Sequence, residues 1–417
     1  MAQNLLPFGY NILTVDEGWS WLASGPAGAS IDAYGRHYPR VDAYPSAAGG
    51  AGFGPLAAAV RAQGLEFGVW TIRGIPKKAA ALKLPIADSP FTADEAVRTD
   101  LDCGWNTYTH GCLRNESAGG GCVDAAHAYY ASIARLYAAW GVSYVKLDCM
   151  FGAASGAGAY DDDIFAYTAA FKAVGITVSL SPGVGVTPYN ISVLSAGGLA
   201  AVARVTNDLW DSWEDAPGGY PTGLKSKLSK AIEFAEGFAA ADNLSTTPDM
   251  DMLPVGVIAR DAVGPLLPSN LTRDEQTLLM TLWCATGAPL VIGARLPLDA
   301  GDTWTLALLT NARVLAVHNE SYARRPIQPA DAPPLQYAWT STPRSGGGAY
   351  VSLFNAGDAP ATVAVSLADT SLPAQGSFCA YDLWAAGAKV AGPIAAGGTL
   401  SMALRAHAAG SYLVAAC

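Results

Sequence analysis

Apolar residues in roughly the first 320 positions form short runs, separated by segments of helical spacing and by Gly or Pro breaks. The runs that we predict to be strands are YNILTVD (10–16), EFGVWTI (66–72), SYVKLD (143–148), TVSLSPG (177–183), ARVTND (203–208) and APLVIGA (288–294). Helical spacing is clearest in residues 125–141 and 274–287. This alternation is typical of a parallel βα fold.

The sequence pattern changes at about residue 325, where short predicted strands alternate with Gly, Pro and Ser, as in AYVSLFNAG and ATVAVSL. Such a pattern predicts a small antiparallel β-domain. We therefore expect two domains, residues 1–322 with the parallel βα pattern and residues 323–417 with the antiparallel one.

Residues 143–148 carry polar side chains at every second position of an otherwise apolar strand. Because side chains alternate between the two faces of a strand, Tyr144, Lys146 and Asp148 share one face, and Val145 and Leu147 share the other. In a closed parallel barrel the apolar set faces the helices and the polar set faces the axis. Barrel enzymes keep their chemistry at the carboxyl ends of such strands.

The same alternation places Asp208 on the face of Arg204 and Thr206, and Asp16 on the face of Thr14. A single aspartate after a strand is more often a helix N-cap or a turn former. Three strands that end in an inward carboxylate are harder to explain in that way, because a buried charge is costly unless it is paired or used.

Two carboxylates that act on one bond suit glycoside hydrolysis, in which a retaining pair stands about 5 to 5.5 Å apart. We expect Lys146 to hold Asp148 ionised as a nucleophile. An acid needs a raised pKa instead, which the negative charge of Asp148 would supply to Asp208. Arg204 works against that shift of the pKa, so we assign it mainly to binding sugar hydroxyls.

The formal net charge of −10, the pI near 4.9 and the absence of a Lys/Arg cluster argue against a nucleic-acid partner. The substrate is therefore expected to be uncharged. No apolar run reaches the roughly 18 residues of a membrane span, and the first residues, MAQNLLPFGY, lack the regions of a signal peptide. We expect no membrane association.

Seven cysteines and five Asn-x-Ser/Thr sequons favour the secretory pathway. The sequons are Asn115, Asn190, Asn243, Asn270 and Asn319. No CxxC or HxxxH spacing of a zinc site occurs. The acidic residues 161–163 are expected to start a helix on the solvent side rather than to bind calcium. We predict neither a cofactor nor an obligatory metal.

Five segments, GYNILTVDEGW, WGVSYVKLDC, RVTNDLWDSW, PDMDMLP and DEQTLLMTLWCATGAPLVIGARL, follow one another in the chain. They resemble the block motifs of the melibiase-type α-galactosidases, glycoside hydrolase family 27, and FGVWTIRGIPKKA resembles its plant and bacterial branch. The resemblance implies a (β/α)8 TIM barrel followed by a C-terminal antiparallel β-sandwich, and a retaining double displacement on a carbohydrate. It places the nucleophile at Asp148 and the acid/base at Asp208.

By the same resemblance, the residues that would contact the sugar are Asp16, Glu17, Lys146, Arg204 and Asp251, with Cys103 beside them. The resemblance also implies a disulfide between Cys103 and Cys149. Trp70 and Trp105 would be either sugar-stacking walls or core residues.

The chain departs from the family where Asp-Asp usually follows the second barrel strand, because here the pair is Asp16-Glu17. The longer Glu17 reaches towards the space of the sugar's C6 hydroxymethyl group. L-arabinopyranose lacks that group, and crowding of this kind shifts preference by about 1 to 3 kcal/mol. We expect an α-galactosidase first, with a β-L-arabinopyranosidase as the alternative.

The first barrel strand and its GWNSY-like motif are apparently missing from the start of the chain. We expect the sequence to be an N-terminally truncated fragment that has also lost a signal peptide, from a secreted, cell-wall or vacuole/lysosome-like protein. A rival interpretation is a truncated, inactive carbohydrate-binding remnant. The oligomeric state is left open, with a homodimer among the alternatives.

Overall fold

The structure, a computed structural model, describes residues 1–20, 30–98, 103, 109–110, 122–150, 161–181, 186–240, 246–259, 265–298, 301–329 and 334–417. The chain divides into two compact units. The N-terminal unit comprises Ala2 and Gly9–Arg204, and the C-terminal unit comprises Met1, Gln3–Phe8 and Val205–Cys417. The division falls inside the first predicted domain. The predicted boundary between residues 322 and 323 stays a prediction.

The N-terminal unit alternates strands with helices. Its elements are β1 (Ile12–Val15), α1 (Gly54–Arg61), β2 (Glu66–Ile72), β3 (Ile75–Pro76), α2 (Lys77–Ala81), β4 (Thr109–His110), α3 (Cys122–Trp140), β5 (Tyr144–Asp148), α4 (Asp161–Ala173), β6 (Thr177–Ser181), α5 (Pro188–Ala196) and β7 (Val202–Arg204). Strands β1, β2, β5, β6 and β7 pair in parallel in that order. The short β3 and β4 pair antiparallel.

Strand β2 is buried along six of its seven residues, as expected for a parallel strand that is covered on both faces. Its Gly68 lies between Thr14 of β1 and Tyr144 of β5. A Cβ atom at this position would lie 2.7 Å from Thr14 Oγ1 and 3.0 Å from Tyr144 Cδ1. The glycine therefore makes room for side chains of both neighbouring strands on the face that also carries Lys146 and Asp148.

An aromatic cluster packs under α3, which ends one residue before the end of the helix predicted at residues 125–141. Phe53 lies 5.2 Å from Trp19 and 5.7 Å from Trp140 between ring centroids, and Tyr137 stacks on Trp140 at 5.3 Å. Such rings bury large apolar areas, so the cluster anchors the helix layer to the sheet.

The C-terminal unit begins with helices and ends in antiparallel sheets. Its elements are α6 (Leu224–Glu233), α7 (Ala235–Ala240), β8 (Thr247–Asp249), β9 (Val257–Ala259), β10 (Leu266–Pro268), α8 (Arg273–Thr286), α9 (Thr303–Leu309), α10 (Ala312–Asn319), β11 (Ser321–Ile327), β12 (Gln336–Pro343), β13 (Gly348–Asn355), β14 (Ala361–Ser366), β15 (Ser377–Asp382), β16 (Ala388–Ala395), β17 (Thr399–Leu404) and β18 (Ala408–Ala416).

The last eight strands form two sheets with one core between them. One sheet has the order β11-β12-β13-β18-β15-β16, and the other pairs β14 with β17. The core between them includes Val351, Val363, Val365, Leu400 and Val414, all buried. A core shared by the inner faces of two antiparallel sheets is the arrangement expected of a β-sandwich.

Helix α8, predicted at residues 274–287, begins at a capping box of Thr272 and Glu275 and ends before Gly287, whose φ is 79°. It packs against β18 of the sandwich. Trp384 Nε1 donates to Thr281 Oγ1 at 3.0 Å, and His407 Nδ1 lies 2.9 Å from Glu275 Oε1. Polar contacts thus fix the sandwich to this helix.

Two predicted strands need correction. The strand expected at 203–208 ends at Arg204, so Thr206 and Asp208 lie beyond it and do not share its face by strand alternation. The stretch at 288–294 makes only one parallel bridge, between Ile292 and Leu253, and is not a strand. Pro289 within it has no N–H to donate to a ladder.

Among the helices of the described ranges, none is long and apolar enough to cross a membrane.

Candidate active site

Asp148 ends β5 on the polar face that the sequence predicts. Tyr144, Lys146 and Asp148 are partly exposed, whereas Val145 and Leu147 between them are buried. Parallel pairing places Trp70 of β2 beside Lys146, and Ile72 beside Asp148. The carboxylate therefore lies at the carboxyl end of a strand in the middle of the parallel sheet, where barrel enzymes hold their reactive groups.

Two N–H groups hold the carboxylate of Asp148. Trp70 Nε1 donates to Oδ2 at 3.0 Å, and the backbone N–H of Cys149 donates to Oδ1 at 2.7 Å. Burial raises the pKa of Asp148, while the positive charges of Lys146 and Arg204 and the two hydrogen bonds act to lower it. The two donors also fix the orientation of the carboxylate.

Lys146 has a second role that the sequence did not predict. Its Nζ lies 3.1 Å from both carboxylate oxygens of Asp16, at the end of β1. The side chain of Asp16 is 62% exposed, so this ion pair faces solvent. Glu17 follows Asp16 and is exposed. Lys146 therefore joins the carboxyl ends of β1 and β5 through Asp16, beside Asp148.

Cys149 has an unusual backbone conformation directly after Asp148. Its φ is 59°, in the left-handed region that favours glycine. A disulfide joins Cys149 to Cys103, the pairing implied by the family resemblance. The two cysteines pack with Trp70 and Ile72 in one buried cluster. This conformation directs the Cys149 N–H to Asp148, so the residue after the carboxylate is part of its support.

Trp70 is 1% exposed, which favours the core role over the stacking wall. Its carbonyl oxygen accepts from Trp19 Nε1 at 2.8 Å. The indole N–H that reaches Asp148 thus belongs to a buried ring on a residue whose backbone carbonyl accepts from Trp19. Trp105 lies outside the described residues.

Asp208 and Asp251 belong to the C-terminal unit. Tyr220 Oη donates to Asp208 Oδ2 at 2.5 Å. The backbone N–H of Leu209, the residue after Asp208, donates to Asp251 Oδ2 at 2.6 Å. Asp251 has a φ of 84°, and its carbonyl oxygen accepts from Trp283 Nε1 of α8 at 3.1 Å. The predicted acid/base and the predicted sugar-binding Asp251 are therefore linked through one backbone amide.

Comparison with known proteins identifies the chain's relatives. Residues 335–414 match the domain described as "Alpha galactosidase C-terminal beta sandwich domain". The crystal structure of a family 27 β-L-arabinopyranosidase from Geobacillus stearothermophilus is 32% identical, with a TM-score of 0.84, over 100% of this chain and 90% of that one. This chain belongs to glycoside hydrolase family 27.

Two further relatives agree with this family. A putative α-N-acetylgalactosaminidase from Bacillus halodurans is 29% identical, with a TM-score of 0.82, over 100% of this chain and 91% of that one. An α-galactosidase from Coffea arabica is 26% identical over 211 residues, which is 51% of this chain and about half of the coffee enzyme (48%). The likeness confirms the predicted fold class, a (β/α)8 TIM barrel followed by a C-terminal antiparallel β-sandwich.

A buried network in this family 27 chain escaped the sequence analysis. Arg73, directly after β2, is 1% exposed, and its Nε donates to the Cys149 carbonyl oxygen at 2.9 Å. Its Nη1 lies 3.0 Å from Asp163 Oδ2, and Tyr130 Oη donates to the other oxygen of Asp163. Asp163 begins α4 with its neighbours, as predicted, but it is fully buried and not on the solvent side. A cation directly after a buried strand was the available signal.

Lys227 is a second functional candidate that sequence reasoning missed. This lysine of α6 is fully buried, and its Nζ donates at 2.7 Å to Thr206 Oγ1 and at 2.7 Å to the carbonyl oxygen of Asn207. The same Thr206 hydroxyl, beyond the end of β7, also donates to the Met250 carbonyl oxygen at 3.2 Å. Lys227 thus fixes the backbone that leads into Asp208. Its helical spacing gave no sign of this role.

Across the described ranges, no group of three or more His, Cys, Asp or Glu side chains is arranged to hold a metal ion. The geometry above consists of carboxylates with N–H, hydroxyl and ammonium partners, which is the chemistry of proton transfer and nucleophilic attack.

Proposed function

We propose that this chain is a retaining exo-glycoside hydrolase that removes terminal α-D-galactosyl residues. The observation that carries the proposal is the carboxylate of Asp148, held by the N–H groups of Trp70 and Cys149 beside the Lys146–Asp16 ion pair. Membership of family 27 and the names of the curated α-galactosidases support it.

In the first step, the Asp148 carboxylate attacks the anomeric carbon of the terminal sugar. The glycosidic C–O bond breaks as Asp208 gives its proton to the leaving oxygen. The products are a glycosyl ester on Asp148, a free alcohol and an ionised Asp208. Asp208 at this point holds the negative charge that Asp148 has lost.

In the second step, Asp208 takes a proton from water while the water oxygen attacks the anomeric carbon. The ester bond breaks, Asp148 recovers its carboxylate, and the sugar leaves with its original anomeric configuration. By the family resemblance, the residues that would bind the sugar hydroxyls are Asp16, Glu17, Lys146, Arg204 and Asp251. Their acidic and basic groups offer both acceptors and donors.

The test is hydrolysis of p-nitrophenyl α-D-galactoside, with the anomer of the first-formed sugar read by NMR. We expect the anomeric configuration to be retained. Asp148→Asn should lower the activity by at least about a thousandfold. Asp208→Asn should lower it by about 100- to 10,000-fold on a galactoside with a poor leaving group. Asp88→Asn, an exposed aspartate paired with Arg135, is the matched control and should keep full activity.

An Asp148→Asn variant with near wild-type turnover would show that the nucleophile is elsewhere. Absence of turnover of both this substrate and p-nitrophenyl β-L-arabinopyranoside, by protein that is folded by circular dichroism, would instead favour the carbohydrate-binding remnant.

A second candidate activity is that of a β-L-arabinopyranosidase. Glu17 stands where the family usually has Asp, and the full-length likeness to the Geobacillus arabinopyranosidase points the same way. The extra methylene of Glu17 would occupy part of the space that the C6 hydroxymethyl group of galactose needs, and a pentopyranose leaves that space empty.

Shortening Glu17 tests this candidate. In Glu17→Asp, the ratio of kcat/KM for the α-D-galactoside to kcat/KM for the β-L-arabinopyranoside should rise by about 10- to 200-fold, because crowding at C6 is relieved. The same substitution at Glu66, an exposed residue at the start of β2, is the control and should leave the ratio unchanged. A ratio unaltered by Glu17→Asp would remove Glu17 as the determinant.

We further propose that the protein matures in the secretory pathway. Two disulfides, Cys103–Cys149 and Cys379–Cys417, support an oxidising compartment. Of the sequons, Asn270 and Asn319 are exposed, whereas the side chain of Asn190 is engaged with Thr187 at the start of α5. Asn115 and Asn243 lie outside the described residues. A mass loss on deglycosylation that maps to Asn270 or Asn319 would support this route.

A further inference from the structure

Tyr220 combines a buried contact with an exposed ring. Its hydroxyl donates to Asp208 Oδ2, while the residue as a whole is 59% exposed. A tyrosine whose ring is in solvent gains little from burial. The contact between its hydroxyl and the carboxylate of Asp208 is therefore a specific one and not a by-product of burial.

Tyr220 lies twelve positions after Asp208 in the chain, and hydrogen bonds to the backbone hold the two residues close together. Thr222 donates twice to the Asp208 carbonyl oxygen, from its N–H at 2.9 Å and from its hydroxyl at 2.9 Å. Leu209 and Thr222 form a parallel bridge. The Ala216 N–H donates to the Pro221 carbonyl oxygen at 3.0 Å. The loop from 208 to 222 is thus closed at its base, which orders the tyrosine before any ligand binds.

The other acidic residues of this loop have partners of their own. Asp211 Oδ2 accepts from the Asn270 N–H at 2.7 Å, and Asp215 Oδ1 accepts from the Gly223 N–H at 2.7 Å. Glu214 pairs with Lys225 at 2.6 Å. The tyrosine hydroxyl is therefore directed to the loop carboxylate that the proposed function uses.

We propose that Tyr220 is a positioning residue for Asp208. Its hydroxyl keeps Asp208 Oδ2 as a hydrogen-bond acceptor, so that Asp208 Oδ1 carries the proton that is given to the leaving group. This inference rests on the proposed function. A protonated carboxylic acid has one O–H group, and a donor fixed on one oxygen leaves the proton on the other. After the proton has left, the same hydroxyl stabilises the carboxylate that forms.

The inference has a kinetic signature that a purely structural role lacks. A hydrogen bond donated to a carboxylate favours its ionised form. In the pH profile of kcat/KM, the alkaline limb reports deprotonation of the acid in the free enzyme, and the acidic limb reports the nucleophile. Loss of the Tyr220 hydroxyl should therefore shift the alkaline limb to higher pH and leave the acidic limb unchanged.

The experiment compares Tyr220→Phe with wild type on two substrates, an aryl galactoside and a disaccharide with a terminal α-D-galactosyl group. In Tyr220→Phe, we expect the apparent pKa of the alkaline limb to rise by about 0.5 to 1 pH unit. We also expect kcat to fall about tenfold on the disaccharide but less than about threefold on the aryl substrate, because a good leaving group needs little proton donation. Tyr189→Phe, an exposed tyrosine of α5, is the control and should change neither.

Unchanged limbs and an equal loss on both substrates would overturn the inference, because a loop that had merely become disordered would affect both leaving groups alike. Failure of the proposed function is distinguishable, since wild type would then turn over neither substrate. An active wild type that is inactivated by Asp208→Asn, together with an unaltered Tyr220→Phe profile, sinks the inference alone.

Discussion

At the carboxyl group of Asp148, burial and hydrogen bonding act in opposite directions. Burial raises its pKa, and the charges of Lys146 and Arg204 with the N–H groups of Trp70 and Cys149 only partly offset this. The folded-state pKa therefore lies above that of the unfolded chain. Ionising Asp148 therefore costs stability.

The sign of this cost gives a prediction. The penalty begins as pH rises above the unfolded-state pKa of about 3.9, grows through the folded-state pKa and is constant above it. Asp148→Asn, which resembles the protonated acid, should therefore be more stable than wild type at pH 7. The difference should shrink towards zero near pH 4. Urea unfolding at several pH values measures it, and a variant that is less stable than wild type at pH 7 would contradict the assignment.

The ion pair of Arg73 and Asp163 is buried on both sides, so breaking it leaves an uncompensated charge. Asp163→Asn should lower the free energy of unfolding by about 3 to 5 kcal/mol. Asp88→Asn breaks the exposed pair with Arg135 and should cost less than about 1 kcal/mol. Denaturant unfolding of both variants checks the contrast, and equal losses would mean that burial does not set the value of the pair.

For single residues, the sequence predicted which face of a strand a side chain lies on better than it predicted which side chain it contacts. Strand alternation placed Lys146 and Asp148 on one face correctly, because it follows from local geometry alone. The pairing of Lys146 with Asp16, and of Arg73 with Asp163, depends on which elements become neighbours in the fold. A single sequence carries no direct signal for such pairs.

Among the elements, buried parallel strands were the easiest to predict. The run at 66–72 matches β2 residue for residue, because continuous burial leaves an uninterrupted apolar signal. The run at 203–208 was predicted too long, since β7 ends at Arg204 and the next residues bond to Lys227 as well as to the backbone of Asp249 and Met250. The stretch at 288–294 is equally apolar, but it finds only one bridge partner. Pattern alone shows burial, whereas pairing depends on the neighbour.

Helix α8 links the sandwich to the rest of the C-terminal unit through side-chain contacts that can be measured. A double-mutant cycle on Trp384→Phe and Thr281→Ala should give a coupling energy of about 0.5 to 1.5 kcal/mol, the usual value of one hydrogen bond. The control cycle pairs Trp384→Phe with Thr310→Ala, whose hydroxyl bonds within α9. Additive losses in the first cycle would show that the 3.0 Å contact does not hold the sandwich to the helix.

On the scale of the whole molecule, the order of patterns predicted the architecture: alternating strands and helices, then antiparallel strands. Motif resemblance added predictions that pattern could not make, a TIM barrel and the roles of Asp148 and Asp208, and those two roles stay predictions. The loop that presents Tyr220 to Asp208 was not predictable, because its closure depends on hydrogen bonds between residues that carry no periodic signal.

The disulfide between Cys103 and Cys149 has a practical consequence for producing the protein. A bacterial cytosol keeps thiols reduced, and Cys149, the residue after Asp148, would there have to keep its left-handed conformation without its covalent tether. Material made in that compartment and material made in a periplasm or a eukaryotic secretory host are therefore chemically different samples. Mapping of free thiols at Cys103 and Cys149 in material from the two hosts would report how fully this bond has formed, separately from the Cys379–Cys417 disulfide.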